Sequence, residues 1–191
     1  MKKSDFVDLV IATGNKYKVQ EMSSILSEYG VKLSQSEMKI IEPDYDTLEE
    51  IAEEKARQAF EKLKVPVIAE DTGVYFSGYN NFPGQLAKRV YLGLGFDGLL
   101  LLIKNSKNKR GYFATAVSYY DGKEMKTFSG KLNGVWLNYL VSAEADRLPY
   151  EKMFVPDGYE DAIVTIPIEE KNKISHRAKA TRLLGEWLSK R

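Results

Sequence analysis

The most distinctive chemical feature of the chain is a basic run at residues 171–179 (KNKISHRAK), in which five residues are cations or potential cations. It includes His176, the only histidine. The run falls at the predicted start of the last helix, where unpaired N–H groups and a partial positive charge favour anions. It is therefore a candidate site for a triphosphate. The alternative is a solvated basic face on a terminal helix, because charge runs usually face solvent.

A second candidate anion site lies at residues 13–18 (TGNKYK), between a short apolar run and a predicted helix. Gly14 can bring the backbone close to a phosphate, and Lys16 or Lys18 can supply charge. The segment is not a Walker loop, because the longer glycine spacing and the terminal Lys-Ser/Thr pair are missing. The alternative is a tight turn in which Asn15 only caps the helix.

Carboxylates suited to a divalent cation stand at Glu70 and Asp71, directly after the apolar run 65–69. Mg²⁺ prefers one or two carboxylates together with water and substrate phosphate. Neighbouring residues on a strand point to opposite faces, so both can face one ion only if the predicted strand has ended there. The alternative is a pair of solvent-facing turn acids. Glu42, before Pro43, can add a carboxylate from another predicted strand end, although alone it reads as a surface residue.

Three further residues could contact a ligand, but each has a simpler structural interpretation. Lys55, on the polar side of a predicted helix, and Lys88, after the Phe82-Pro83-Gly84 sequence, both read as solvated lysines. Tyr150 offers an aromatic face for base stacking, although core packing is the default for any single aromatic residue.

The composition is that of an ordinary globular chain of 191 residues, 43% hydrophobic, which predicts one domain or two closely joined lobes. Its 28 basic and 27 acidic residues leave a net charge of +1, which argues against a broad nucleic-acid footprint. The absence of cysteine excludes disulfides and thiolate metal sites. The longest apolar run, residues 99–103, cannot cross a bilayer, and no signal-like segment is seen, so we expect a soluble intracellular protein with no membrane partner.

The order of elements predicts an α/β or mixed α+β sheet. Strands are predicted near residues 9–12, 31–33, 39–42 and 65–69, and helices near 15–29 and 46–64. A turn at 82–84 precedes a helix from about residue 85, interrupted at Gly93 and Gly95. A hairpin is predicted around a two-residue Asp121-Gly122 turn, a further strand near 135–140, a loop at 147–152, and a last helix with Ala180, Leu183, Leu184, Trp187 and Leu188 on its core side. Residues 13–15 and 70–72 both follow predicted strands, where ligands of such sheets gather.

Taken in order, five motifs resemble the inosine triphosphate pyrophosphatase family. Together they are far more specific than any one alone, and they span nearly the whole chain. They are Thr13-Gly14-Asn15 with Lys18 and Glu21, residues 70–73 (EDTG), 82–84 (FPG), 154–159 (FVPDGY) and 170–180 (EKNKISHRAKA).

The resemblance implies a single nucleoside triphosphate pyrophosphatase domain over residues 1–191, with an elongated mixed β-sheet flanked by helices and two lobes with a nucleotide cleft between them. It implies Mg²⁺-dependent hydrolysis of non-standard purine triphosphates (ITP, dITP and XTP) between the α and β phosphates. The products are a nucleoside monophosphate and pyrophosphate. Mn²⁺ is a possible substitute, and a cytoplasmic homodimer acting in nucleotide metabolism is expected.

The resemblance also assigns roles by position. Asp71 is the expected catalytic base, assisted by Lys18, and it holds the metal together with Glu42. Phosphate contacts are expected from Thr13, Gly14, Asn15 and Lys18, with Lys55 and Lys88 also reaching the cleft. Lys16 and Thr72 are further candidate substrate contacts. Contacts to the base and the adjoining phosphate are expected from Tyr150, Glu151, Lys171, His176 and Arg177.

One segment departs from the family pattern. The purine-recognition loop of the family has an aromatic residue, Gly, an aromatic residue and Asp followed by Pro, whereas residues 148–152 read LPYEK. Pro149 fixes φ and removes an N–H, and Glu151 is about one methylene longer than Asp. Tyr150 can still stack on a base. Two alternatives stay open: a pyrophosphatase with altered selectivity, including one for another modified or pyrimidine triphosphate, and a nucleotide-binding relative with little turnover.

Overall fold

The computed structural model describes residues 7–143 and 149–191. The described residues form a mixed sheet of seven strands, with β2-β1-β3-β5-β6-β7 as the strand order and β4 paired to β3. The strands are β1 (Val7–Ala12), β2 (Val31–Ser36), β3 (Val67–Phe76), β4 (Phe82–Gly84), β5 (Arg110–Tyr120), β6 (Met125–Trp136) and β7 (Phe154–Pro156). The same described residues contain five α-helices: α1 (Lys16–Ser27), α2 (Leu48–Leu63), α3 (Ala87–Asn105), α4 (Ile168–Ile174) and α5 (His176–Leu188). The predicted mixed α/β class is confirmed.

The parallel part of the sheet is built from β1, β2 and β3. β1 pairs in parallel with β2 from Val7↔Val31 onward and with β3 at Ile11↔Ile68. β3 pairs antiparallel with β4, and β6 pairs antiparallel with β7. Parallel neighbours place their carboxyl ends at one sheet edge, so the turn after β1 and the carboxylates of β3 are brought to the same region.

The prediction that a strand ends at Glu70 is wrong. β3 continues to Phe76, because its second half pairs with β4. The predicted turn at 82–84 is itself that short strand, with a cis Phe82–Pro83 peptide bond. Glu70 and Asp71 therefore lie inside a regular strand and point to opposite faces of the sheet.

The predicted strand at 39–42 is also absent. Residues 37–45 have no regular secondary structure, and the backbone of Ile41 bonds to a side chain of α2 instead of to a neighbouring strand. The strand predicted near 135–140 is the end of β6, which runs to Trp136. The predicted loop at 147–152 becomes a 3₁₀ turn over Pro149–Met153 in its described part, while residues 147 and 148 lie outside the described residues.

The predicted helix caps and the predicted helix interruption are confirmed. Asn15 caps α1 by accepting hydrogen bonds from the N–H groups of Tyr17 and Lys18, and Thr47 caps α2. α3 is kinked at Gly95, whose φ of 60° lies in the left-handed region that glycine tolerates. The last predicted helix is two helices, α4 and α5, and Leu183, predicted on the core side, is exposed.

The described residues group into two compact units. The first contains residues up to Asp71, Thr115–Gly130 and His176–Arg191, and the second contains Thr72–Ala114 and the described part of Lys131–Ser175. Each has its own core: Leu9, Met22, Ile68, Val117 and Leu184 are central to the first, and Phe76, Leu99, Phe113, Trp136 and Phe154 to the second. No described helix is long and apolar enough to span a bilayer.

The β5–β6 connection is longer than the predicted two-residue turn, and one carboxylate organises it. The N–H groups of Lys123 and Glu124 both donate to Asp121 Oδ1, at 2.9 and 2.8 Å, and Arg191 pairs with the other oxygen. The N–H groups of Glu124 and Lys123, with Arg191, hold the pKa of Asp121 at about 2. Its stabilising contribution is therefore present above the ordinary carboxyl pKa of about 4 and is lost as the pH falls toward 2.

We expect Asp121→Asn to lower the free energy of unfolding by about 1 kcal/mol at pH 7, since the contact is partly exposed. The amide keeps an acceptor oxygen but has no charge to lose. Urea unfolding at several pH values measures the difference between the two proteins. It should shrink between about pH 4 and pH 2, and a constant difference would contradict the role given to the Asp121 charge.

Candidate active site

The central feature of the first unit is an ammonium group held by two carboxylates. Lys55 Nζ, on α2, lies 3.0 Å from Asp71 Oδ1 on β3 and 3.2 Å from Glu42 Oε1 in the segment before α2. Lys55 and Asp71 are largely buried, whereas the Glu42 side chain is 71% exposed. The structure thus brings together both predicted metal ligands and one predicted phosphate contact.

Burial has opposite effects on the two ionised partners. It raises the pKa of Asp71 to about 6, with Lys55 opposing the shift and the neighbouring Glu70 carboxylate adding to it. Burial alone lowers the pKa of Lys55, but the surrounding carboxylates, Asp71 foremost, outweigh it and raise that pKa. The site therefore holds a cationic lysine beside a carboxyl group whose pKa lies within about one unit of neutral pH, which suits a general base.

The opposite face of β3 carries a buried charge cluster. Glu70 forms an ion pair with Lys18 of α1, and its other oxygen lies 3.6 Å from Arg177 Nε of α5. Arg177 Nη1 donates to Glu21 Oε2 of α1 at 2.5 Å, and the Arg177 side chain is only 1% exposed. Burial alone raises the pKa of Glu70, but Lys18 and Arg177 outweigh it and lower the value to about 2. The cluster fixes α1, β3 and α5 to one another.

This geometry shows how the cations of the basic run are paired. Arg177 and Lys171 are buried ion-pair partners of carboxylates, and Lys173 bonds to Glu170 three residues earlier on α4. Lys171 also belongs to the second unit, whereas His176 and Arg177 begin α5 in the first. The run is therefore not a uniform solvated face: Lys171 and Arg177 are paired with carboxylates distant in the sequence, which spacing alone does not reveal, whereas Lys179 is exposed. Its part in anion binding stays a prediction.

The turn after β1 is a helix cap. The Asn15 side-chain oxygen accepts from Tyr17 N at 3.0 Å, and Asn15 N donates to Thr13 Oγ1 at 3.2 Å. A Cβ at Gly14 would meet no atom within 4 Å, so open space faces this backbone. Lys16 is exposed and Lys18 is half-buried. The capping interpretation is confirmed, and the open space leaves room for a ligand beside it.

The second unit contains a separate buried ion pair. Lys171 Nζ of α4 lies 2.7 Å from Glu151 Oε1, with 2% and 1% of the side chains exposed. The adjacent Tyr150 is buried, its hydroxyl donates to the carbonyl of Ala87 at 2.8 Å, and its ring packs among Phe76, Tyr91 and Trp136. The default interpretation of Tyr150 as a core residue is confirmed, and its contact with a base stays a prediction.

The other predicted site residues are more dispersed. Thr72 follows Asp71 in β3 and is partly buried, while Lys88 lies exposed at the start of α3. His176 is the buried first residue of α5. The structure places Thr72 and Lys88 in the second unit and His176 in the first.

Of the two carboxylates in the buried cluster, Glu21 was not assigned a role from the sequence, and Glu70 was considered only as a candidate ligand for a divalent cation. A signal for Glu21 existed: it lies between Lys18 and Met22 on the helix face that also carries Ile25, so the periodicity places an acid on the apolar side. A buried acid demands a partner. The partner, Arg177, is 156 residues away and leaves no local signal.

The donor set fits Mg²⁺ only when a substrate contributes ligands. Among residues 7–143 and 149–191, no group of three or more His, Asp or Glu side chains could hold a metal ion. Mg²⁺ usually takes one or two protein carboxylates and completes its coordination with water and substrate phosphates. Asp71 and Glu42 already converge on one cationic group, so they can supply that pair.

Comparison with known proteins gives one consistent answer. The chain is 33% identical to a dITP/XTP pyrophosphatase of Hyperthermus butylicus, covering 94% of both chains, and 34% identical to one of Methanopyrus kandleri, covering 94% of this chain and 95% of the relative. The fold matches a HAM1 protein from Coxiella burnetii with a TM-score of 0.84 and 22% identity, over 97% of this chain and all of the other. The profile of the Ham1 family matches residues 9–187, which confirms the resemblance seen in the motifs, and the chain therefore belongs to the Ham1 family.

Proposed function

We propose that this chain is a Mg²⁺-dependent pyrophosphatase that converts dITP, XTP and ITP to the nucleoside monophosphate and pyrophosphate. One observation carries the proposal: Asp71 and Glu42 converge on Lys55 in a chain whose relatives are named dITP/XTP pyrophosphatases. Mn²⁺ is the expected substitute for Mg²⁺. The single functional domain, the nucleotide cleft, the homodimer and the cytoplasmic location stay predictions of the resemblance.

The residues of the first unit would act on the triphosphate. A bound Mg²⁺, held by Asp71 and Glu42, would neutralise charge on the phosphoryl oxygens. The oxygen of a water molecule bonds to the α-phosphorus while the bond to the α–β bridging oxygen breaks, and pyrophosphate leaves. Asp71 accepts the proton from the attacking water, and Lys18 and Lys55 offset the negative charge that develops.

The turn at residues 13–16 would complete phosphate binding. Gly14, between Thr13 and Asn15, borders open space at the start of α1, where the partial positive charge of the helix favours phosphate. Lys16 is exposed and would contact a phosphate, as would Lys88 and Thr72.

Glu151 and Lys171 would read the base, and His176 and Arg177 would support the adjoining phosphate region. Glu151 and Lys171 offer a carboxylate and an ammonium group side by side, so together they can both accept from and donate to a purine edge. The Glu151 and Lys171 side chains are as deeply buried as Tyr150, so the segment around them would have to open before any of the three contacted a base. The departure of residues 148–152 from the family pattern favours altered selectivity as the second candidate function.

We expect Glu151→Asp to change the ratio of kcat/KM for XTP to that for dITP by about tenfold. The shorter side chain shifts the carboxylate relative to Lys171, and xanthine differs from hypoxanthine by a C2 carbonyl that these groups sense differently. Steady-state kinetics with both nucleotides measures the ratio. Glu169→Asp, an exposed change on α4, is the matched control, and an unchanged ratio in Glu151→Asp would argue against this role.

The proposed activity is tested by incubating the purified chain with dITP, XTP, ITP, the standard nucleotides and a pyrimidine triphosphate, with and without Mg²⁺. We expect monophosphate and pyrophosphate from the first three only with Mg²⁺. Turnover confined to another triphosphate would favour altered selectivity. Nucleotide binding without turnover of any member would favour the alternative of a binding protein and overturn the proposal.

A further inference from the structure

The proposed metal ligand Glu42 lies in a segment that has no secondary structure to hold it. Residues 37–45 form neither helix nor strand, and the Glu42 side chain is mostly exposed. The preceding residue, Ile41, is 73% exposed and gains little from burial. A carboxylate on such a segment would lose considerable conformational entropy on binding a cation, unless other contacts order the backbone first.

One side chain of α2 supplies these contacts. Gln58 Oε1 accepts a hydrogen bond from Ile41 N at 2.9 Å, and Gln58 Nε2 donates to Ile41 O at 3.1 Å. Both polar groups of the residue before Glu42 are therefore bound by one amide. Nε2 is also 3.2 Å from Glu54 Oε1, which fixes the orientation of the amide with its oxygen toward Ile41 N. Two residues before Ile41, the carbonyl of Lys39 accepts a hydrogen bond from Lys62 Nζ of the same helix.

The position of Gln58 relates this contact to the site. Lys55 is three residues earlier on α2, so the same helix face holds both the backbone before Glu42 and, through Lys55, its carboxylate. The two contacts differ in one respect. The Lys55 contact uses the carboxylate oxygens that a metal would need, whereas the Gln58 contact uses only backbone groups and is compatible with a carboxylate engaged elsewhere.

We propose that Gln58 is a positioning residue that holds the backbone at Ile41 so that the Glu42 carboxylate is presented to the divalent cation. This inference rests on the proposed function. Gln58 touches neither substrate nor metal and acts only through residues 41 and 42. Loss of the Gln58 side chain should weaken Mg²⁺ binding but leave kcat at saturating Mg²⁺ nearly unchanged.

The test compares Gln58→Ala with Glu61→Ala, an exposed truncation on the same helix. We expect Gln58→Ala to raise the Mg²⁺ concentration for half-maximal dITP hydrolysis by about tenfold, with kcat at saturating Mg²⁺ within about twofold of the unchanged protein. Mn²⁺ binding, followed by electron paramagnetic resonance with a dITP analogue that cannot be hydrolysed, should weaken by a similar factor. Glu61→Ala should leave both values unchanged.

A double-mutant cycle separates this role from a general loss of structure. In a Glu42→Gln background, Gln58→Ala should have little further effect on the half-saturating Mg²⁺ concentration, because both changes act through one carboxylate. Gln58→Glu, which keeps the acceptor but loses the donor when ionised, should have an intermediate effect. Independent effects in the cycle, or unchanged Mn²⁺ binding in Gln58→Ala, would overturn the inference.

Failure of the proposed function gives a different result. If the unchanged protein bound Mn²⁺ with the analogue but hydrolysed no nucleotide, the pyrophosphatase assignment would fail while the binding cycle still tested Gln58. If it bound no Mn²⁺ under any condition, the metal site and the role of Gln58 would both be wrong.

Discussion

Asp71→Asn should reduce kcat/KM for dITP by about a thousandfold, because loss of a general base typically costs 10²- to 10⁴-fold and this carboxylate is also a proposed metal ligand. The amide has nearly the same shape and can still accept a hydrogen bond from Lys55. Pyrophosphate release at saturating Mg²⁺ measures the effect. Unfolding by urea should show a cooperative transition like that of the unchanged protein.

The two proposed roles of Asp71 can be distinguished by changing the metal. If its main role were metal binding, higher Mg²⁺ or substitution by Mn²⁺ would restore much of the rate. If it acts mainly as the base, the loss persists at every metal concentration. Asp46→Asn, an exposed acid before α2, is the matched control and should be nearly neutral. Activity of Asp71→Asn within about tenfold of the unchanged protein would contradict both roles.

Local signals predicted the parts of the fold that are governed by neighbouring residues. Asn15 and Thr47 cap helices, Gly95 breaks one, and Asp121 marks the hairpin. Each acts within a few residues through backbone geometry or a short hydrogen bond, so spacing alone identifies it. The alternation of apolar runs and amphipathic segments gave the mixed sheet for the same reason.

Long-range pairing explains what the sequence did not predict. The strand at Glu70 continues because residues 82–84 pair with its second half, and the apolar run before Glu70 carries no signal of that. Residues 39–42 contain isoleucines that favour a strand, yet Gln58 binds the backbone of Ile41. Lys171 and Arg177 lie in one basic run but have different partners in different units. These outcomes depend on tertiary neighbours and not on local propensity.

The candidate site likewise combines residues that local motifs identify with contacts that depend on tertiary neighbours. The motifs identified Asp71, Glu42 and Lys55, which the structure brings together. They did not show that Arg177 is enclosed between Glu21 and Glu70, because a charged side chain is expected at the surface by default. A buried arginine with two carboxylate partners holds α1, β3 and α5 together, a role that its place in a basic run does not suggest.

Arg177→Met should lower the free energy of unfolding by about 3–5 kcal/mol, the largest stability loss expected for one of the charged residues discussed. Methionine fills part of the arginine volume but leaves Glu21 buried without its 2.5 Å donor and removes one of the cations near Glu70. Removing one partner of a buried pair leaves an uncompensated charge, which costs far more than the pair itself contributes. Urea unfolding at neutral pH measures the loss.

The charge explanation is tested by neutralising the Glu21 carboxylate as well. Glu21→Gln combined with Arg177→Met should recover much of the lost stability, because Glu70 keeps Lys18 as a partner. Lys179→Met, an exposed cation two residues further along α5, should change stability by only about 0.5 kcal/mol. If the double variant were no more stable than Arg177→Met, the loss would come from packing around the guanidinium. A small effect of Arg177→Met itself would mean that this arginine does not fix α5 to α1 and β3.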